Sequence, residues 1–168
     1  MEIYIASLTD YNNGILHGSW FRPADYSDAE ELMEAIQEKV LATSPTAQKY
    51  PDEIAEEWAI HDYSDAPDIG RGEYEDLERI VEIAQGLDEH GDMFRAYLEE
   101  IDNNGTPQHA HDCYHGEYDS EEDFAEQFIR ECYEIPDHLE YYIDWEKFAR
   151  DLFMSDFTFA DGHVFSNY

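Results

Sequence analysis

Glu2-Ile3-Tyr4-Ile5-Ala6-Ser7-Leu8 alternates apolar with small or polar side chains, the two-residue period of a strand with one buried face. Asn12-Asn13-Gly14 follows as a turn signal, and Ile15–Phe21 is expected to return as the second strand of a hairpin. Ser27-Asp28-Ala29-Glu30 then has the form of a capping box, with Ser27 as N-cap and Glu30 at N3. The helix it opens is expected to run to about Leu41, with Leu32, Ile36 and Val40 facing inward. Two strands and a helix within the first quarter of the chain point to the α+β class.

Further along, Pro45 and Pro51 are expected to mark a loop and Glu57–Tyr63 a third strand. Asp65–Gly72 contains Pro and Gly and reads as a boundary. Glu73–Gln85 is amphipathic, with Leu77, Ile80, Val81 and Ala84 on one face and Gly86 as the expected stop. A second helix over Asp92–Ile101 should bury Phe94, Tyr97, Leu98 and Ile101 before Asn103-Asn104-Gly105 ends it, so the middle third is helical. The last third is expected to open with a strand, Cys113–Tyr118, followed by a helix from Ser120 with Phe124, Phe128, Ile129 and Cys132 inward. After the break at Pro136, Asp144 should cap a helix carrying Trp145, Phe148, Ala149 and Leu152. Phe157–Ala160 and Val164–Asn167 flank Asp161-Gly162 as a closing hairpin. The outer thirds echo each other, since His17-Gly18-Ser19-Trp20 and His115-Gly116-Glu117-Tyr118 each precede a serine-opened acidic helix. Duplication and repeated use of one strand-to-helix device both fit that echo.

The charge is extreme and evenly spread. Of 168 residues, 42 are Asp or Glu and 9 are Lys or Arg, a formal net charge of −33. Residues 1–61 hold 12 acids and 3 bases, residues 62–103 hold 14 and 3, and residues 104–168 hold 16 and 3. Self-repulsion on this scale opposes compaction, yet 13 Tyr, 9 Phe and 3 Trp set the chain apart from acidic disordered segments and predict a fold. At the charge density of duplex DNA, one charge per ~1.7 Å, this total matches about 56 Å of duplex, or roughly 16 base pairs. A folded imitation of DNA is therefore the first hypothesis. Nucleic acid and anionic membranes repel such a surface, so neither is an expected contact and the expected partner is basic. No stretch approaches the ~20 apolar residues of a membrane span. The start lacks signal-peptide features and two cysteines make no disulfide framework, so a cytoplasmic location is expected.

Glu30, Glu34 and Glu38 are spaced i, i+4, i+8 opposite the apolar stripe of the first helix. Helix rise puts successive members about 6 Å apart, comparable to phosphates along one DNA strand. Glu75, Glu78 and Glu82, and then Asp119, Glu122 and Glu126, repeat the device. A solvated helix face ordinarily mixes Glu with Lys in i, i+4 pairs, but these three stripes contain no base. The nine residues are the expected phosphate-mimicking, partner-binding set.

Other chemistries fare worse. His109, His111, Cys113 and His115 alternate, and on a strand they would share one face, a geometry that suggests zinc or copper. Ligands at i, i+2 on one strand diverge, however, and no second ligand pair is evident. A His-rich strand face at a subunit contact is preferred, and no metal or other cofactor is expected. The twelve-residue EF-hand pattern is absent, no carboxylate pair is singled out for hydrolysis, and no feature activates Cys or His as a nucleophile. The chain is not expected to be an enzyme. Two rivals of another class are halophilic adaptation, which 3 Lys against 6 Arg would suit, and an acidic chaperone for basic proteins such as other DNA-binding proteins.

The chain resembles the ArdA-type antirestriction proteins. The most specific residues are Ile3-Tyr4-Ile5-Ala6-Ser7-Leu8, Tyr11-Asn12, Gly14, Leu16, Gly18 and Trp20. Trp58-Ala59-Ile60-His61-Asp62-Tyr63, Glu121-Glu122-Asp123-Phe124-Ala125 and the C-terminal aromatic hairpin add to them. The resemblance implies an elongated α+β protein of three small domains, the outer two mixed and the middle one helical. On the boundaries above these are 1–63, 64–104 and 105–168. It further implies a homodimer formed through the C-terminal end. That dimer is similar in outline and charge to bent B-form DNA and occupies the DNA-binding groove of type I restriction-modification enzymes. It blocks cleavage and methylation, commonly on behalf of mobile genetic elements. For the dimer contact, the residues themselves favour His111, Cys113, Tyr114 and Tyr118. They combine an expected edge strand with the low charge of residues 105–114, where Asp112 is the sole acid.

Overall fold

The alternation at the N terminus forms β1 (Glu2–Ser7), with Ile3 and Ile5 buried and Glu2 exposed. In this computed structural model all residues are described except Pro51, Arg71, Tyr74, Glu75 and Tyr168, together with the side chain of Asp137. β1 is central in a three-stranded antiparallel sheet of order β2-β1-β3, between β2 (Gly18–Phe21) and β3 (Trp58–Ser64). Ile3 faces Phe21 and Tyr4 faces Trp20. On the other side Tyr4 faces Asp62 while Ile5 faces Ile60, so His61 is an extra residue and bulges the strand.

β1 and β2 pair as the expected hairpin, but a short helix, α1 (Leu8–Asn12), lies in their connection and β2 begins at Gly18 rather than Ile15. Ser7 caps α1, its hydroxyl accepting the Asp10 N–H. Ser7 and Asp10 thus stand in the Ser-x-x-Asp spacing that opens helices. The next cap sits one residue later than expected. Asp28, not Ser27, is the N-cap of α2 (Ala29–Ile36) and accepts the Glu31 N–H at 2.9 Å. The Glu31 carboxylate reaches back to the Ser27 N–H at 2.7 Å and hydroxyl at 2.9 Å, which holds its pKa below the usual range. Leu32, Ile36 and Val40 are all buried, as the spacing predicts. The end of this element is a π-helical turn, Gln37–Leu41, whose wider winding lets consecutive Val40 and Leu41 both enter the core. Pro45 does not lie in a loop. It opens α3 (Pro45–Lys49) at the first helical position behind the Ser44 cap, where its missing N–H costs nothing; Pro51 lies outside the described residues. The first core joins Ile3, Ile5, Phe21, Leu32, Ile36, Val40, Leu41 and Ile60 to Ile80 and Val81.

Those last two belong to α4 (Leu77–Glu100), in which Gly86 is buried mid-helix and does not stop it. The interruption comes at Gly91, whose φ of 58° and ψ of −134° are not helical. The chain divides at the same place into two compact units, Met1–Gly91 and Asp92–Tyr168.

In the second unit, Phe94, Tyr97 and Leu98 are buried and Ile101 is half-buried. Thr106 caps α5 (Pro107–Cys113), so the strand expected from Cys113 starts one residue later as β4 (Tyr114–Glu117). Ser120 caps α6 (Glu121–Cys132), accepting the Asp123 N–H at 3.1 Å. Phe124 is buried and Phe128 and Ile129 are half-buried, but Cys132 is exposed because it falls in the final turn. A short α7 (Asp137–Glu140) precedes α8 (Trp145–Phe153), capped by Asp144 as expected. β5 (Phe157–Ala160) and β6 (His163–Ser166) form the closing hairpin. Its two linking residues, Asp161 and Gly162, both take positive φ (45° and 86°), as a mirror-image turn requires. The sheet order is β4-β6-β5, with Phe124, Phe157 and Val164 at the centre of its core.

Candidate anionic interface

Helix α2 carries the most complete acidic stripe. Glu30, Glu34 and Glu38 are exposed, and none has an ion-pair partner among the described residues. Glu38 lies in the π turn, so its angular position departs from the regular i, i+4 progression. The one base nearby, Lys39, is turned over the Phe21 ring, with Nζ 5.6 Å from its centroid.

The other two stripes are less regular. Glu75 lies outside the described residues, Glu78 is exposed, and Glu82 is half-buried and paired with Arg79 at 2.6 Å. Asp119 precedes the Ser120 cap and is not on a helix. Glu122 is exposed on α6, while Glu126 pairs with Arg130 at 2.5 Å, and Arg130 also pairs with Glu140. Asp119 and Glu122 instead line an open groove between the start of α6 and α8, together with Asp144 and Glu146 and the bases Lys147 and Arg150. Asp144 and Glu146 stand out in no stripe of the sequence, since Asp144 reads as a cap and Glu146 sits on the facing helix.

The bases leave this field largely uncompensated. Arg22 is taken up by Asp25 at 2.6 Å and by Asp88, pairs that raise its pKa. Arg95 lies 4.0 Å from Glu99, Arg150 3.6 Å from Asp151, and Lys49 stands over the Tyr50 ring. These cations each face a neighbour within their own unit, and at the surface acids far outnumber bases.

The four residues expected at a subunit contact do not share a face. His111 and Cys113 lie on α5, His111 exposed and Cys113 buried. The Tyr114 hydroxyl pairs with His163 Nδ1 at 3.0 Å and its ring packs 5.4 Å from Phe165. The Tyr118 ring packs edge-on to Phe124 at 5.1 Å. Burial raises the pKa of both phenols. β4, which Tyr114 opens, is an edge strand of its sheet. The His-rich run is likewise dispersed. His109 Nδ1 pairs with the Tyr97 hydroxyl at 2.8 Å, and His115 packs on Phe157 at 5.0 Å, where burial lowers its pKa. Among the described residues no three His, Cys, Asp or Glu side chains are placed to hold a metal ion, and no helix is long and apolar enough to cross a membrane.

An α+β scaffold whose surface charge is mostly carboxylate is the class this geometry defines. The family model for antirestriction protein (ArdA) matches residues 3–166, and the chain belongs to that family. Its function is accordingly antirestriction. A comparison with curated proteins finds no match.

Proposed function

We propose that the protein inhibits type I restriction-modification enzymes by occupying their DNA-binding groove as a mimic of duplex DNA. The observation that carries this reading is a net charge of −33 on a folded chain in which Arg22, Arg79 and Arg130 are each paired with acids of their own unit. A groove built to bind phosphates meets carboxylates instead, and the attraction is long-ranged and salt-sensitive. Glu30, Glu34 and Glu38, all exposed, supply one part of the array, and Glu75, Glu78, Glu82, Asp119, Glu122 and Glu126 extend it.

The active form is a homodimer in this proposal, with contact at the edge strand β4 near His111, Cys113, Tyr114 and Tyr118. The three-part organisation into 1–63, 64–104 and 105–168, an elongated shape and action in the cytoplasm belong to the same proposal. A plating assay tests it. Unmodified phage should form plaques at restored efficiency on a host carrying a type I system when this protein is expressed. Plating that stays restricted despite soluble expression contradicts the reading.

A further inference from the structure

The β2-β1-β3 sheet packs one face on the core that α2 closes, and strand alternation sends Tyr4 and Trp20 to the other face. They are paired across the strands, their ring centroids 5.4 Å apart and their planes tilted by 59°. Trp20 is 45 % exposed. Gly18 makes room for this pair. A Cβ there would lie 2.9 Å from Tyr4 Cζ and 2.3 Å from the Ile5 carbonyl oxygen, so the tyrosine ring rests on backbone that any side chain would cover. Two exposed carboxylates border the rings. Asp62 is the cross-strand neighbour of Tyr4 on β3, and Glu2 is two residues from Tyr4 on the same face of β1.

We propose that this aromatic platform is an arginine-binding site, in which a guanidinium of the partner stacks on Tyr4 and Trp20 while Asp62 and Glu2 accept its N–H groups. Charge complementarity selects the occupant, because a surface of net −33 with a carboxylate rim attracts a cation and repels a second copy of itself. The planar, weakly hydrated guanidinium can stack and hydrogen-bond in its own plane at once, whereas the ammonium of lysine is a strongly hydrated point charge. The site would give short-range selectivity that the acidic stripes, which act through long-range charge, do not. The inference rests on the proposed function for the identity of the partner, an enzyme groove whose phosphate-binding arginines supply the guanidinium, but its chemistry can be tested separately.

The full chain is titrated with decaarginine and with decalysine at several salt concentrations, as wild type, as Trp20→Ala and as the double variant Glu2→Gln/Asp62→Asn. The double variant leaves both rings in place should the alanine variant fail to fold. Wild type should prefer decaarginine, and each variant should weaken arginine binding roughly threefold to tenfold while changing lysine binding less. Equal losses for both peptides, or no loss in either variant, overturn the proposal. A changed sedimentation coefficient for Trp20→Ala also overturns it, since a second copy would then cover the platform. Inhibition of a type I enzyme by Trp20→Ala is measured alongside. If wild type fails to inhibit, the proposed function falls and the peptide result still decides the platform. If wild type inhibits and Trp20→Ala inhibits equally, the platform is not a partner contact.

Discussion

Asp10 is the one acid buried among the described residues. Its Oδ1 accepts the Thr46 backbone N–H at 2.9 Å, tying α1 to the first turn of α3. Burial alone would raise its pKa, but the Thr46 N–H and the surrounding Thr46, Ser44 and Ser7 hydroxyls outweigh it and bring the value to about 2. A folded pKa below the ordinary 3.8 stabilises the fold above that value, and the contribution is lost as pH falls through about 2. Asp10→Asn should therefore cost about 2 kcal/mol at pH 7. Urea melts of variant and wild type should converge near pH 2, and an equal gap at both pH values would assign the effect to packing alone. His115 adds acid sensitivity in a higher window. Burial lowers its pKa from 6.5, so the unfolded chain binds the proton more readily and stability declines as pH drops below that value.

Elements show how far local signals carry. The Ser120 and Asp144 caps and the Asp161-Gly162 turn are legible because each acts within four residues. The Ser27 cap shifts to Asp28 because both side chains can cap, and Glu31 serves the later register. The π turn at Gln37–Leu41 was hidden, since Leu32, Ile36 and Val40 fit a regular α-helix equally well. Gly86 and Gly91 differ by tertiary packing, one buried within the helix and one exposed at its break, and no local pattern separates them. The Thr106-Pro107 opening of α5 was readable, but the His alternation pointed to a strand instead. Of the first acidic stripe, Glu30 and Glu34 keep the regular spacing on α2, while Glu38 falls in the π turn. The Glu126–Arg130 pair is an i, i+4 spacing that the sequence already displayed.

Two predictions belong to this scale. Gly91→Ala places a Cβ in open space, yet its backbone angles are nearly glycine-only, so the cost is backbone strain of about 1–3 kcal/mol. Thermal melting should show that loss, and an unchanged midpoint would mean the break at Gly91 relaxes. For the stripe, single Gln substitutions at Glu30, Glu34 or Glu38 should each reduce inhibition less than about threefold, as exposed charges do. The triple substitution should reduce it roughly tenfold or more with the circular dichroism spectrum unchanged. Loss of all inhibition from one of the three singles would point to a discrete site rather than a distributed array.

For the whole molecule, charge is both the functional signal and the main obstacle to assembly. Two copies of net −33 repel each other, so a homodimer needs a contact poor in acids, and residues 105–114 hold only Asp112. Sedimentation should give a dimer at micromolar concentration that tightens with added salt, as screening relieves the repulsion. A monomer under all salts would remove the dimer from the account. Composition made the anionic surface legible without any structure. The taking-up of Arg22 by Asp25 and Asp88 could not be read beforehand, because Asp88 is remote in sequence and meets Arg22 only in the fold.

The central claim is that carboxylates stand in for phosphates, and it is tested most directly by competition between this protein and duplex DNA for one type I enzyme across a salt series. The account predicts mutually exclusive binding, with the affinity for the protein falling steeply between about 50 and 200 mM salt, as it does for DNA. An enzyme that binds both at once, or an affinity that stays flat over that range, would contradict it.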